Sequence, residues 1–181
     1  MTVDEAGRRA ADRARTRALL DLQEGRGSVP LLDDRGIEVM LRRTRRIAVV
    51  GASANPARPS FGVLRDLLER GYDCVPINPN ERTVLGLPAF PSLAEAVAAT
   101  GPFDLVDVFR RSELCAEHAR EAVAAGARCL WLQLGVVNWE AAAIAHAAGL
   151  AVVMDRCTAI ELRRLAVAPP GGTPSTGPVS G

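Results

Sequence analysis

Between Arg46 and Val167 the chain repeats one unit: a short apolar run, then a segment with apolar residues at helical spacing. The runs are "RIAVVG", "DCVPIN", "FDLVDVF", "ARCLWLQLG" and "LAVVMD". Continuous hydrophobicity over so few residues suits strands covered on both faces, as in a parallel sheet flanked by helices. The intervening segments are "SFGVLRDLLERG", "SLAEAVAAT", "SELCAEHAREAVAAG" and "NWEAAAIAHAAG", with "AIELRRLAV" closing the series. In the first of them Leu64, Leu67 and Leu68 share one side and Gly71 acts as the stop. This alternation predicts right-handed crossovers, hence an α/β fold: a Rossmann-like, doubly wound parallel five-stranded sheet over residues 46–167.

The ends differ from this core. Residues 1–45 mix Arg clusters ("RRAADRARTR", "RRTRR") with Asp, Glu and Ala, which predicts a partly helical, solvated lead-in broken at "EGRGSVP". Within it "LLDDRGIEVMLRR" is expected to form a short helix that packs on the sheet through Leu32, Gly36, Val39 and Met40. Residues 168–181 include eight Gly or Pro, cannot build a core, and are expected to be disordered.

Composition narrows the function. A chain of 181 residues that is 48% hydrophobic can bury one sizeable core. The net charge of +1, with acids interleaved among the basic residues, speaks against nucleic acid as a partner. No apolar run approaches the roughly 18 residues of a membrane span and no secretory leader is recognisable, so no membrane partner is expected. Cys74, Cys115, Cys129 and Cys157 are widely spaced without a CxxC pair, which indicates neither zinc nor a disulfide framework. A cytoplasmic protein is expected. All 22 basic residues are Arg, so any side-chain cation that meets a phosphate is a guanidinium.

Doubly wound sheets take ligands at the carboxyl ends of their strands. After the first strand stand Gly51, Ala52, Ser53, Ala54 and Asn55, small residues that let backbone N–H groups approach a diphosphate in front of a helix N-terminus. The loop is not G-x-G-x-x-G, and a plain strand-to-helix turn remains the alternative. After the second strand stand Asn78, Pro79 and Asn80, where a dinucleotide-binding domain carries an acid for the ribose. Asn-Pro-Asn equally makes a turn without a ligand. Phe109, Arg110 and Arg111 follow the third strand, Gln133 and Gly135 the fourth, and Asp155, Arg156 and Cys157 the fifth. Adjacent residues leaving a strand point apart, so one of Arg110 and Arg111 is expected at a phosphate and the other in solvent or against an acid, unless both are solvated.

The ordered blocks "IAVVGASANPARPS", "VPINPN", "VLGLPAFPSL", "DLVDVFRRSE", "WLQLGVVN" and "GLAVVMDRC" resemble the small bacterial CoA-binding proteins. These share the CoA-binding domain of the succinyl-CoA synthetase alpha subunit. The resemblance covers about residues 46–165. It implies one Rossmann-like domain that binds coenzyme A, free or acylated, without a catalytic constellation of its own. By motif it places Gly51, Ala52, Ser53 and Ala54 against the CoA diphosphate. Asn78, Pro79, Asn80, Phe109, Arg110 and Arg111 would border the nucleotide, and Gln133 and Gly135 the pantetheine path. Where the family often has a basic residue and "IEHRRL", this chain has "CTAIELRRL" with Ala159 and Leu162, so the last helix brings no cation or His to the ligand from those positions.

Catalytic candidates are few. His118 and His146 fall within helices and read as surface or packing residues. Asp155 and Arg156 are expected to pair with each other or cap a turn, and Glu113 and Glu117 to form a solvated face. Cys157 is either a small packing residue or a thiol that meets the CoA thiol. An acyl-CoA synthetase needs a phosphate carrier and a second domain, for which this length leaves no room, so a complete synthetase is not expected. Two other readings stand beside the CoA-binding one: an NAD(P)-dependent oxidoreductase, and an interaction module that has lost its ligand. A partner protein or a homo-oligomer is compatible with each.

Overall fold

A computed structural model of the chain describes residues 3–170. The expected disorder at 168–181 falls, from 171 onward, outside the described residues. In chain order the strands are β1 (Arg46–Val50), β2 (Asp73–Ile77), the two-residue β3 (Thr83–Val84) and β4 (Leu87–Pro88), β5 (Leu105–Val108), β6 (Cys129–Leu132) and β7 (Ala151–Val153). The helices are α1 (Val3–Gln23), α2 (Asp34–Arg43), α3 (Pro59–Glu69), α4 (Leu93–Thr100), α5 (Cys115–Ala124), α6 (Trp139–Ala147) and α7 (Thr158–Arg164).

The five expected strands form one parallel sheet in the order β2-β1-β5-β6-β7. β3 and β4 make a small antiparallel hairpin that no sequence pattern announced, being too short to show a period.

Side chains alternate across the sheet, as the pleat requires. Ala48, Val50, Val75, Ile77, Val106, Val108, Leu130 and Leu132 share a buried cluster with residues of α4, α5 and α6. Ile47, Val49, Cys74, Leu105, Cys129, Trp131 and Val153 share the opposite one with residues of α2, α3 and α7. Helices therefore cover both faces, and the fold is the doubly wound α/β class expected. Local signals set the helix boundaries. Ser92 and Asn138 cap α4 and α6 by accepting the N–H groups of Glu95 at 3.2 Å and Ala141 at 2.7 Å. Arg70 and Gly71, the latter at φ +85°, close α3.

Two expectations for the lead-in change. α2 packs through Ile37 and Leu41, both fully buried, whereas Val39 is 43% exposed and Met40 and Leu32 only border the core. Ten residues offer several overlapping i, i+3, i+4 sets, and contact with α7 selects among them. The first helix is not wholly solvated either. Ala18, Leu19 and Leu22 pack on the α4–α6 side, and the Trp139 indole donates to the Ala18 carbonyl at 3.2 Å. A Cβ at Gly27 would collide with the Trp139 ring, so the turn after α1 is held close to α6.

Trp131 is the largest fully buried side chain, and its indole N–H donates to the Arg156 carbonyl at 2.6 Å. Trp131→Ala should lower unfolding stability by about 3–5 kcal/mol, read as a shifted urea midpoint at unchanged slope. A loss below about 1 kcal/mol would contradict its place in the core.

Candidate functional site

Strand order reverses beside β1, whose neighbours are β2 on one edge and β5 on the other. The chains leaving β1 and β5 diverge there, and a crevice opens at their carboxyl ends. A cavity of about 1200 Å³ lies at this point. Gly51, Ser53, Asn78, Phe109, Arg110, Arg111, Gln133 and Gly135 line it. Ala52, Ala54, Asn55, Pro79 and Asn80 are not among its lining residues.

Gly51 has φ +83°, and a Cβ there would stand 2.6 Å from the Phe109 carbonyl oxygen and 2.9 Å from Arg110 Cδ. Only glycine lets the β1 loop lie this close to the β5 loop. Asn78 ties the β2 loop to the same place. Its Nδ2 donates to the Ala52 carbonyl at 2.7 Å, and its Oδ1 accepts the Asn80 N–H at 3.0 Å. The Asn-Pro-Asn run is thus a turn with one polar residue facing the cavity.

The two adjacent arginines separate. Arg110 packs its stem beside Gly51, whereas the Arg111 side chain is 77% exposed and pairs with Glu113 at 3.4 Å. Glu113 therefore lines the cavity and forms an ion pair, beyond the solvated role expected of it. Arg58, Pro59 and Ser60, at the start of α3, form another wall. The Arg58 side chain makes no cap there, and the positive end of the helix faces the cavity.

The expected Asp155–Arg156 pair does not form; the capping alternative does. Asp155 accepts the Gly135 N–H at 2.6 Å, while Arg156 binds Asp34 at 3.2 Å and Glu161 at 3.4 Å. Glu161 is buried, and α2 and α7 supply nearer carboxylates than Asp155 does. Cys157 is half-buried on the cavity wall. His118 bonds Glu121 at 2.7 Å and His146 is exposed on α6; neither lines the cavity.

Several residues of this region escaped the sequence reading. Glu81, one residue past Asn80, turns back so that its carboxylate accepts the Ala54 N–H at 2.9 Å and stands 3.3 Å from the Ser53 hydroxyl. Its adjacency to the Asn-Pro-Asn run was the available signal. Asp107, inside β5, is fully buried and accepts from Gln133 Nε2 at 2.7 and 2.9 Å and from the Thr158 hydroxyl at 3.0 Å. Gln133 Nε2 also reaches Thr158 Oγ1 at 2.9 Å. Both amide hydrogens of Gln133 are engaged behind the wall, which leaves its carbonyl oxygen as the remaining polar group. Burial pushes the Asp107 carboxyl up to about 7, against the hydrogen bonds from Gln133 and Thr158. From α1, Arg8, Ala11, Asp12 and Arg15 complete the lining. Their spacing, continued by Ala18, Leu19 and Leu22, was legible as one helical stripe.

In charge, the cavity carries five arginines (Arg8, Arg15, Arg58, Arg110, Arg111) against two carboxylates, Asp12 and Glu113. The rest of the lining mixes apolar groups, among them Val63, Phe109, Leu114, Val136 and Ile160, with the neutral polar side chains of Ser53, Ser60, Asn78, Ser112 and Gln133. Such a site suits an elongated ligand with anionic and apolar parts.

Comparison with known proteins places the chain in a family. The chain belongs to the CoA binding domain family, whose profile matches residues 45–163. It is 41% identical over 121 residues to the uncharacterised protein YneT of Bacillus subtilis (strain 168), an alignment covering 67% of this chain and 87% of YneT. A solved structure of a hypothetical protein from Pyrococcus horikoshii OT3 is 38% identical with a TM-score of 0.70, covering 75% of this chain and 93% of that one. For a Thermus thermophilus protein the values are 34% and 0.69, with 74% and 99% coverage. The dinucleotide-forming acetyl-coenzyme A synthetase 1 of Ca. Korarchaeum cryptofilum shares the fold at 23% identity and TM-score 0.56, over 64% of this chain and 27% of the synthetase. Among the described residues no helix is long and apolar enough to cross a membrane.

Two measurements check the site's construction. Gly51→Ala should destabilise the protein by more than about 1 kcal/mol, since it adds positive-φ strain to a contact with backbone; an unchanged thermal midpoint would contradict the close approach. Asp107 supplies a pH dependence. Its folded-state pKa exceeds the unfolded value, so between about pH 4 and 7 the native state holds a proton that the unfolded chain has released, and stability should fall as pH rises through that window. Asp107→Asn should remove this slope in pH-dependent urea titrations; a slope that persists in the variant assigns it to other groups.

Proposed function

We propose that the protein binds coenzyme A, free or acylated, in the cavity at the ends of β1 and β5, as a binding module without catalysis of its own. The observation that carries this is the arginine-rich, partly apolar cavity at the switch point of a chain that belongs to the CoA binding domain family. The backbone at Gly51 and Ser53, with the first turn of α3, faces the diphosphate, and Ala52 and Ala54 keep that loop narrow. Asn78, held by the turn through Pro79 and Asn80, borders the nucleotide on one side and Phe109 on the other. Arg110, held beside Gly51, is the member of the arginine pair that meets a phosphate. Gln133 and Gly135 lie along the pantetheine arm, whose amide N–H groups match the carbonyl oxygen that Gln133 keeps unspent.

Saturating CoA, at about 100 times its dissociation constant, should stabilise the protein by roughly 2.7 kcal/mol. NAD should raise the thermal midpoint less, and an equal or larger shift with NAD would sink the CoA assignment. Within the pair, Arg110→Gln should weaken CoA by roughly 10- to 150-fold, the worth of one charged hydrogen bond. Arg111→Gln should change it far less. Calorimetry with CoA and dephospho-CoA tells the 3′-phosphate from the diphosphate, and no loss in Arg110→Gln removes that residue from the site.

A further inference from the structure

We propose that α1 is part of the binding site, with Arg8 and Arg15 reaching over the cavity to hold a phosphate of the bound CoA. This rests on the CoA reading above and adds to it a helix that lies outside the family match at residues 45–163.

One stripe of α1 carries the inference. Residues 8, 11, 12, 15, 18, 19 and 22 follow the i, i+3, i+4, i+7 spacing of a single helix face. The lower half, Ala18, Leu19 and Leu22, packs on the core. The upper half, Arg8, Ala11, Asp12 and Arg15, lines the cavity. The face is thus continuous, and its chemistry changes from apolar to basic where the support beneath it changes from packed side chains to open space.

Off this stripe, Arg9 pairs with Glu5 at 3.5 Å and Arg17 with Asp21 at 3.2 Å. Arg15 forms no such pair among the described residues, and its Nη2 stands 3.1 Å from where a Cβ of Gly135 would be. Its guanidinium therefore lies on the β6 loop, at the rim of the cavity. Arg8 and Arg15 are seven residues apart, about 10.5 Å along the axis, so they can grip separate oxygens of an extended polyanion. Asp12, between them, is the one acid on this upper stripe.

The helix is anchored at one end, by Leu19, Leu22 and the Trp139 bond to Ala18. Among the described residues, those of α1 that pack on the core are Ala18, Leu19 and Leu22, all toward that end rather than the arginine end. A ligand phosphate beneath the arginine end supplies a further attachment, so binding and ordering of α1 are coupled.

The test is calorimetric titration of CoA into the full chain as wild type, Arg15→Gln, the double variant Arg8→Gln/Arg15→Gln, and Arg17→Gln as a charge-matched control off the stripe. Gln is a good helix former and Arg15 is exposed, so the variants should fold. We expect Arg15→Gln to weaken CoA by roughly 10-fold or more, the double variant by more again, and Arg17→Gln to match wild type. Amide exchange across residues 8–17 should slow when CoA is added to wild type. Equal affinity in wild type and the double variant overturns the role of α1 and leaves the CoA reading standing. An equal loss in Arg17→Gln overturns it too, by reducing the effect to overall charge. If wild type binds no CoA, both readings fall.

Discussion

β1 is hydrogen-bonded on both edges, to β2 through Arg46–Asp73 to Val50–Ile77 and to β5 through Ile47–Leu105 to Val50–Val108. In a parallel sheet the chains that follow these strands must leave by the same end, and helices on opposite faces pull them apart. The crevice is a geometric remainder of that pairing. Its width is then set by the residue that turns first. Gly51 brings the β1 loop against the Phe109 carbonyl, where two of the cavity walls meet.

Behind the cavity, β5 carries an acid where its neighbours on the same face, Ile47, Val49 and Trp131, are apolar. Asp107 is buried with Gln133 and Thr158 as its partners, from the β6 loop and the start of α7. A buried polar group without partners is costly, whereas a satisfied cluster fixes orientation. The three side chains hold β5, β6 and α7 in one register at the depth of the site. Gln133 owes its direction to this cluster, and so a wall residue is positioned by groups that do not themselves line the cavity.

The architecture was legible because each strand is a run of apolar residues that no helix period explains, and Gly closes most of the intervening segments. The loops after those strands were legible for the same reason, since topology brings them together wherever the exact turns lie. What was hidden depended on partners remote in sequence. Asp107 reads as a blemish in "FDLVDVF" until Gln133 and Thr158, 26 and 51 residues away, are beside it. The buried face of α2 was misjudged because helical spacing alone does not say whether Ile37 and Leu41 or Val39 and Met40 turn inward. The Asp155–Arg156 pairing failed because sequence adjacency is a weak guide when α2 and α7 offer Asp34 and Glu161 to the same guanidinium.

Glu81 gives the first loop a tenant. Its carboxylate already occupies the Ala54 N–H and neighbours the Ser53 hydroxyl, so an anion arriving at these donors exchanges with one that is tethered to the chain. Entry is then a competition between oxyanions, and the free energy gained is the difference between two similar hydrogen bonds rather than the whole of one. Neutral groups have little with which to compete. An acid that looks misplaced in the loop after β1 thereby acts as a threshold, admitting to the Ala54 N–H only what binds it better than a carboxylate does.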